Sequence, residues 1–362
     1  MRLKPELRDL EVYTPGKPIA ELKRELGLEE AVKLASNENP YRPPRAVLEV
    51  LRKAVLNINR YPDSGCYYLR EALSKKYGVK ADQIIFGNGS DELITLAVRA
   101  LLDKGDEVLV AYPTFLIYYI ASKAAGLKIR RVPLRNYKYD LNAIAASVTS
   151  GTRLIFIANP DNPTGTYVTR REVEKFLYEI PEDVVVFFDE AYFEYAQDFE
   201  DYPDSLKYHR DNGNIITART FSKAYGLAGL RIGYAIAQPL IIELMNKVRN
   251  PFNVNALAQI AAVAALKEEK YVKQVVEKTR KNKMLLYRCL EELGIEYIPS
   301  ATNFVLIRLG EEAPSVAQEL MKRGIITRYM GPWGLPEHIR VTVGTEEENK
   351  SFLKALKESI KD

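Results

Sequence analysis

Lys223 stands in the segment Thr220-Phe221-Ser222-Lys223-Ala224-Tyr225-Gly226-Leu227-Ala228-Gly229-Leu230-Arg231, which follows a short apolar run. A lone lysine is usually a solvated surface charge. This one sits among small residues and glycines, which make a poor surface helix. Desolvation or a neighbouring charge lowers an amine's pKa and turns it into a nucleophile. Ser222 and Arg231, in the same segment, suit a phosphate group.

Asp189 ends the apolar run 184–188. A carboxylate there can hold a heteroaromatic ring nitrogen protonated, so that the ring draws electrons. The plainer role for a strand-terminal Asp is a helix or turn cap. Tyr192 follows three residues later, and Asn162 lies in Asn162-Pro163-Thr164-Gly165; both can donate a hydrogen bond to a phenolic oxygen on such a ring. For Asn162 the competing role is turn formation. Gly87-Asn88-Gly89-Ser90-Asp91 follows an apolar run and opens a helical pattern. Backbone amides at a helix N-terminus, with the Ser90 hydroxyl, cradle phosphate. The segment is neither a dinucleotide fingerprint, since Glu92 replaces the third glycine, nor a P-loop. Tyr112 offers a ring that could stack on a flat ligand, although an aromatic there more often packs in a core.

These residues need elements to position them. Apolar runs at 84–86, 108–110, 154–157, 184–188, 215–217 and 232–236 each lead into or out of a polar turn. Runs without alternation predict strands buried on both faces, as in a mostly parallel sheet. Helical spacing lies between several of them, as at Leu93, Ile94, Ala97 and Leu101. The fold class expected is therefore α/β, a large domain with a mostly parallel central sheet and helices on both faces, plus a smaller α/β domain. Ligands of such sheets bind beyond the carboxyl ends of the strands, where the residues above fall. From about residue 255 a helical region rich in Lys and Glu runs to 293, then strands are expected at 303–307, 325–328 and 339–343. The expected division is an N-terminal segment 1–40 that joins the small domain, a large domain 41–254 and a small domain 255–362.

Composition narrows the function classes. The 362 residues are 47% hydrophobic, and 52 basic against 48 acidic residues leave a net charge of +4. That balance gives no basic surface for nucleic acid. Two distant cysteines, Cys66 and Cys289, form no disulfide framework and fit a reducing cytoplasm. With only His209 and His338, a His-based metal site is not expected. No apolar stretch is long enough for a membrane span, and residues 1–6 lack the apolar run of a signal peptide.

Taken together, the motifs resemble those of the fold-type I, aspartate-aminotransferase-like enzymes that use pyridoxal 5′-phosphate, and within them the chain is similar to the histidinol-phosphate aminotransferases. The resemblance covers nearly the whole chain. Its further motifs are Leu34-Ala35-Ser36-Asn37-Glu38-Asn39-Pro40, Tyr61-Pro62-Asp63 and Ile339-Arg340-Val341-Thr342-Val343-Gly344-Thr345. It implies that Lys223 carries the cofactor as a Schiff base, Asp189 pairs with its pyridinium, and Asn162 and Tyr192 bond its phenolic oxygen. It implies that Gly89, Ser90, Asp91, Ser222 and Arg231 hold its phosphate, with Tyr112 stacked on the ring. It further implies a homodimer with shared sites, in which Tyr61 reaches the phosphate of the partner's cofactor. Arg340 is the implied substrate-carboxylate residue and Arg328 the substrate-phosphate residue, with Tyr13 and Asn37 lining the same pocket. The implied reaction is transamination between histidinol phosphate and 2-oxoglutarate, in the cytoplasm. Aromatic-amino-acid aminotransferases and threonine-phosphate decarboxylase share the cofactor motifs. A non-catalytic pyridoxal-phosphate module of a transcription regulator would need a DNA-binding domain, which has no room before Tyr41.

Overall fold

A computed structural model describes residues 4–8, 10, 12, 14–210 and 212–360. Its strands are β1 (Val32–Lys33), β2 (Ile84–Gly87), β3 (Glu107–Tyr112), β4 (Lys128–Pro133), β5 (Thr152–Ala158), β6 (Val185–Asp189), β7 (Ile215–Thr220), β8 (Gly233–Ile236), β9 (Glu296–Ile298), β10 (Phe304–Arg308), β11 (Ile325–Ile326), β12 (Arg328–Tyr329) and β13 (His338–Thr342). Seven of them form the large sheet in the order β2-β8-β7-β6-β5-β3-β4. β7, β6, β5, β3 and β4 pair in parallel, while β8 runs antiparallel to both its neighbours.

The unalternating runs form the middle of this sheet because both of its faces are covered. Leu154, Ile155, Phe156 and Ile157 of β5 are all 0% exposed, and burying each contributes about 1.5–3 kcal/mol. One core lies under the helices Ser90–Leu101, Leu116–Ala125, Arg170–Glu179 and Pro239–Val248. A second joins the helices Tyr67–Tyr77 and Ala256–Leu266 to Phe86, Phe221 and Tyr234. The edge strand β4 has no counterpart in the sequence reading. Its Lys128, Arg130 and Arg131 are not buried, and only Val132 is. An edge strand needs one neighbour, and its charges discourage pairing with other chains.

The C-terminal sheet is antiparallel, in the order β12-β13-β10-β9. The expected strand 325–328 divides in two: β11 pairs in parallel with β1, whereas β12 pairs with β13. The expected helical stretch 255–293 is likewise two helices, Ala256–Leu266 and Glu269–Glu292. The second spans two cores, since Val272 and Val275 pack beside the large sheet and Leu286 and Leu290 under the small one. The β1–β11 pairing matters most for the site. Leu34 N–H donates to Ile326 O, and Leu34 O accepts from Thr342 N–H, both at 2.8 Å. The segment after β1 is thereby held over the ends of β5, β6 and β7.

Candidate active site

A cavity of about 350 Å³ opens at the carboxyl ends of the parallel strands. At one end of it begins the helix Ser90–Leu101, whose preceding residue Gly89 has φ of 82°. Only glycine fits there, because a Cβ would also collide with the Arg231 guanidinium. The first-turn amides of that helix, Ser90, Ser222 and Arg231 converge on the same corner. Arg231 lies 3.5 Å from the Asp91 carboxylate.

Lys223 lies on the cavity wall, its Nζ donating to Ser36 O at 3.4 Å. Burial, followed by the positive charge of Arg340, lowers its pKa to about 8. Asp189, last residue of β6, is 4% exposed, and burial raises its pKa to about 6. Two bonds orient it: the Tyr118 hydroxyl donates to Oδ2 at 2.6 Å, and Ala191 N–H donates to Oδ1 at 3.2 Å.

Asn162 projects from a turn built around buried Asp161. That carboxylate accepts from Thr114 Oγ1 at 2.7 Å and from Thr164 Oγ1 at 2.8 Å. Arg340 Nη1 donates to Asn162 Oδ1, and its Nη2 donates to Ala35 O at 2.9 Å. Arg328 stands directly across the β12–β13 ladder from Arg340, and both line the cavity. Like charges in opposed ladder positions are unfavourable, so this face suits an anionic ligand. Tyr192 completes the wall, its hydroxyl accepting from Asn37 Nδ2 at 2.9 Å.

Lys223, Asp189, Tyr192, Ser90, Asp91, Asn162, Ser222, Arg231, Arg340, Arg328 and Asn37 thus line one cavity, with Gly89 just beside it. Two expected residues that the structure describes do not. Tyr112 lines an adjoining pocket that shares Arg328 and Trp333 with this cavity, and the Arg131 guanidinium sits 4.8 Å from its ring centroid. Phe115 also lines the cavity and makes an edge contact with Tyr118 at 5.6 Å. Tyr61 is 83% exposed and stacked on Phe252 at 4.7 Å, away from the cavity of its own chain. Tyr13 lies outside the described residues.

Sequence reasoning missed Phe115, Tyr118, Trp333 and Thr342. Phe115 carried a signal, as the next aromatic in Tyr112-Pro113-Thr114-Phe115. Tyr118 carried none, being one aromatic among several in an apolar helix.

The sequence model of the family "Aminotransferase class I and II" matches residues 29–356. The chain belongs to this family. Among curated relatives, this aminotransferase is 47% identical over 351 residues to histidinol-phosphate aminotransferase 2 of Carboxydothermus hydrogenoformans, covering 97% of each chain. It is 46% identical over 349 residues to the histidinol-phosphate aminotransferase of Moorella thermoacetica, covering 96% of this chain and 90% of that one. Among solved structures, the histidinol-phosphate aminotransferase of Sinorhizobium meliloti, in complex with pyridoxal 5′-phosphate, superposes with a TM-score of 0.91. That match has 31% identity and covers 99% of this chain and 98% of that one. A mutant aspartate aminotransferase of Thermus thermophilus shares the fold, with a TM-score of 0.85 at 23% identity, covering 99% of this chain and 100% of that one.

Proposed function

We propose that this aminotransferase uses pyridoxal 5′-phosphate to move the amino group of histidinol phosphate to 2-oxoglutarate, giving imidazole acetol phosphate and glutamate, reversibly, in histidine biosynthesis. The observation that carries the substrate is the Arg328–Arg340 pair across the cavity from Lys223. One substrate ends in a phosphate and the other in carboxylates, and guanidinium groups bind both in bidentate fashion.

The donor set fits the cofactor. A helix N-terminus with Ser90, Ser222 and Arg231 takes its phosphate, and the positive φ of Gly89 brings the backbone into that corner. Asp189 takes its ring nitrogen, Asn162 and Tyr192 its phenolic oxygen, Tyr112 one face of the ring, and Lys223 its carbonyl carbon. When bound, the cofactor supplies an electron-withdrawing ring that stabilises negative charge at the substrate Cα. Lys223 Nζ, with a pKa near 8, keeps a useful neutral fraction near neutral pH and takes the proton from that Cα. Asp189, oriented by Tyr118, keeps the ring nitrogen protonated. Arg340, steadied by Asn162 and Ala35, holds the carboxylate at the amino-acid end of glutamate and 2-oxoglutarate, and Arg328 the phosphate. Together they fix the Cα–H bond in reach of Lys223.

Assembly as a homodimer is part of this reading. Its support is an exposed apolar surface that includes Leu56, Ile58, Tyr61, Tyr67 and Tyr68, each at least 60% exposed; solvated monomers rarely keep such patches. Tyr61 then reaches the partner's cofactor. Two free cysteines, Cys66 and Cys289, support a reducing, cytoplasmic setting. We also place the domain division at 1–40, 41–254 and 255–362, with Glu269–Glu292 spanning the two cores.

The purified chain loaded with cofactor is assayed with histidinol phosphate, phenylalanine and threonine phosphate, each with 2-oxoglutarate. Glutamate should form fastest with histidinol phosphate. Turnover of threonine phosphate alone, with release of carbon dioxide, would overturn the reading.

A further inference from the structure

Asn37 has φ of 55°, a left-handed conformation that Asn tolerates better than most residues. It is 2% exposed, and its bonds run to β13 on one side and to Tyr192 on the other. The Asn37 backbone N–H donates to Thr342 Oγ1 at 2.9 Å. That oxygen accepts there, and its own hydrogen is donated to Asn37 Oδ1 at 3.3 Å. With the amide oxygen turned to Thr342, the amide nitrogen faces Tyr192 and donates to its hydroxyl at 2.9 Å. An amide NH₂ only donates. The Tyr192 hydrogen cannot lie in that bond and is directed elsewhere from a residue on the cavity wall.

Asn162 shows the same logic. Its Oδ1 accepts from Arg340, which turns its NH₂ end away from the arginine. Arg340 and Thr342 are alternate residues of β13 and so share one face of the strand.

We propose that Asn37 and Thr342 are positioning residues that hold Tyr192 as a hydrogen-bond donor to the phenolic oxygen of the cofactor. In the same way Arg340 holds Asn162, so that one strand, β13, orients both donors while carrying the arginine that meets the substrate. The inference rests on the assignment of Tyr192 to that oxygen. Asn37 thereby changes role, from a substrate contact to a support for the cofactor's electronics. Two donors on one oxygen favour its deprotonated form and lower the pH at which the bound cofactor loses its proton.

The test is a spectrophotometric pH titration of the holoenzyme's visible band, with cofactor content measured after release in alkali. Thr342→Val removes the hydroxyl at nearly constant volume, which lets the Asn37 amide turn its oxygen toward Tyr192. The midpoint should rise by about one pH unit at unchanged cofactor content, and Thr342→Ser should restore it. Asn37→Asp, an acceptor-only isostere, forces Tyr192 to donate to it and should raise the midpoint further. In a Tyr192→Phe background Thr342→Val should add no shift. A midpoint that moves in Tyr192→Phe but not in Thr342→Val or Asn37→Asp overturns the positioning role. A midpoint unmoved by Tyr192→Phe itself overturns the assignment of Tyr192 on which the proposal rests. If Thr342→Val does not fold, Asn37→Asp in the two backgrounds decides the question alone.

Discussion

The Tyr118 hydroxyl donates to Asp189 Oδ2 at 2.6 Å, between two side chains that are 0% and 4% exposed. Burial alone drives this carboxyl toward its neutral form, and the Tyr118 bond opposes that. The bond therefore keeps Asp189 anionic where a protonated ring needs it.

Tyr118→Phe removes the bond without opening a cavity. Losing a hydrogen bond to a charged group costs about 1.5–3 kcal/mol, so cofactor affinity should fall about tenfold or more. The Asp189 pKa rises when its donor is lost, so the acid limb of kcat/KM should move to higher pH. Titration of the cofactor-free chain with pyridoxal phosphate checks the first, and a pH profile the second.

The pKa near 8 at Lys223 is measurable in the cofactor-free chain. Only the neutral amine attacks the cofactor's carbonyl carbon. The rate of reconstitution should thus climb with pH and level off above about 8. Arg340→Gln removes the second cause of the lowered pKa, and the midpoint should shift upward. Stopped-flow absorbance follows both; a rate independent of pH would count against Lys223 as the attacking amine.

Arg328 and Arg340 face one another across the β12–β13 ladder, and the two co-substrates should distinguish them. Arg328→Gln should raise KM for histidinol phosphate by about 30-fold or more, and Arg340→Gln should do so for glutamate, since each loses a charge-assisted contact. Steady-state kinetics with each co-substrate varied in turn give the answer.

A stability test lies one residue beyond Asp189. Glu190 Oε2 accepts from Arg219 Nε at 2.9 Å and Nη2 at 2.7 Å, and both side chains are 1% exposed. Breaking a fully buried pair from one side costs about 3–5 kcal/mol; here Arg219 keeps Asp204, 2.7 Å away and partly exposed, so the loss is toward the lower end. Glu190→Ala should accordingly lower the urea midpoint sharply, and Glu190→Leu combined with Arg219→Met should lower it less.

Shared sites in a dimer predict complementation. Lys223→Ala and Tyr61→Ala chains are each impaired alone. Refolded together as equals, hybrids hold one intact site, and roughly a quarter of wild-type activity should return. Sedimentation of the unmixed chains checks that both variants still pair.

Much of the site was legible because strand ends are. Lys223, Asp189, Asn162 and Ser90 each follow a run whose continuous apolarity marks a buried strand, and parallel sheets gather such ends on one side. Arg328 and Arg340 were found only by resemblance, since nothing in the local sequence says that β12 and β13 are neighbours. Tyr112 was legible as the aromatic that ends its strand, whereas its contact with Arg131 left no trace in the spacing. The strand β4 was not legible because three of its six residues are charged and its two aliphatic residues, Ile129 and Val132, fall on opposite faces. Tyr118 and Thr342 act through another residue and touch it only in the folded chain, so their spacing carries no trace of the contact.

Asn37 and Thr342 are separated by 305 positions, and β1 must find β11 across nearly the same interval. A ribosome makes the chain from its N-terminus. The large sheet and Tyr192 can form early, but the segment around Asn37 lacks Thr342 and β11 until the C-terminal sheet has been made. The cavity is therefore completed after the large sheet rather than with it. Until then it has an open, unfinished roof, and the enzyme becomes competent only once the segment after β1 has met β11 and β13.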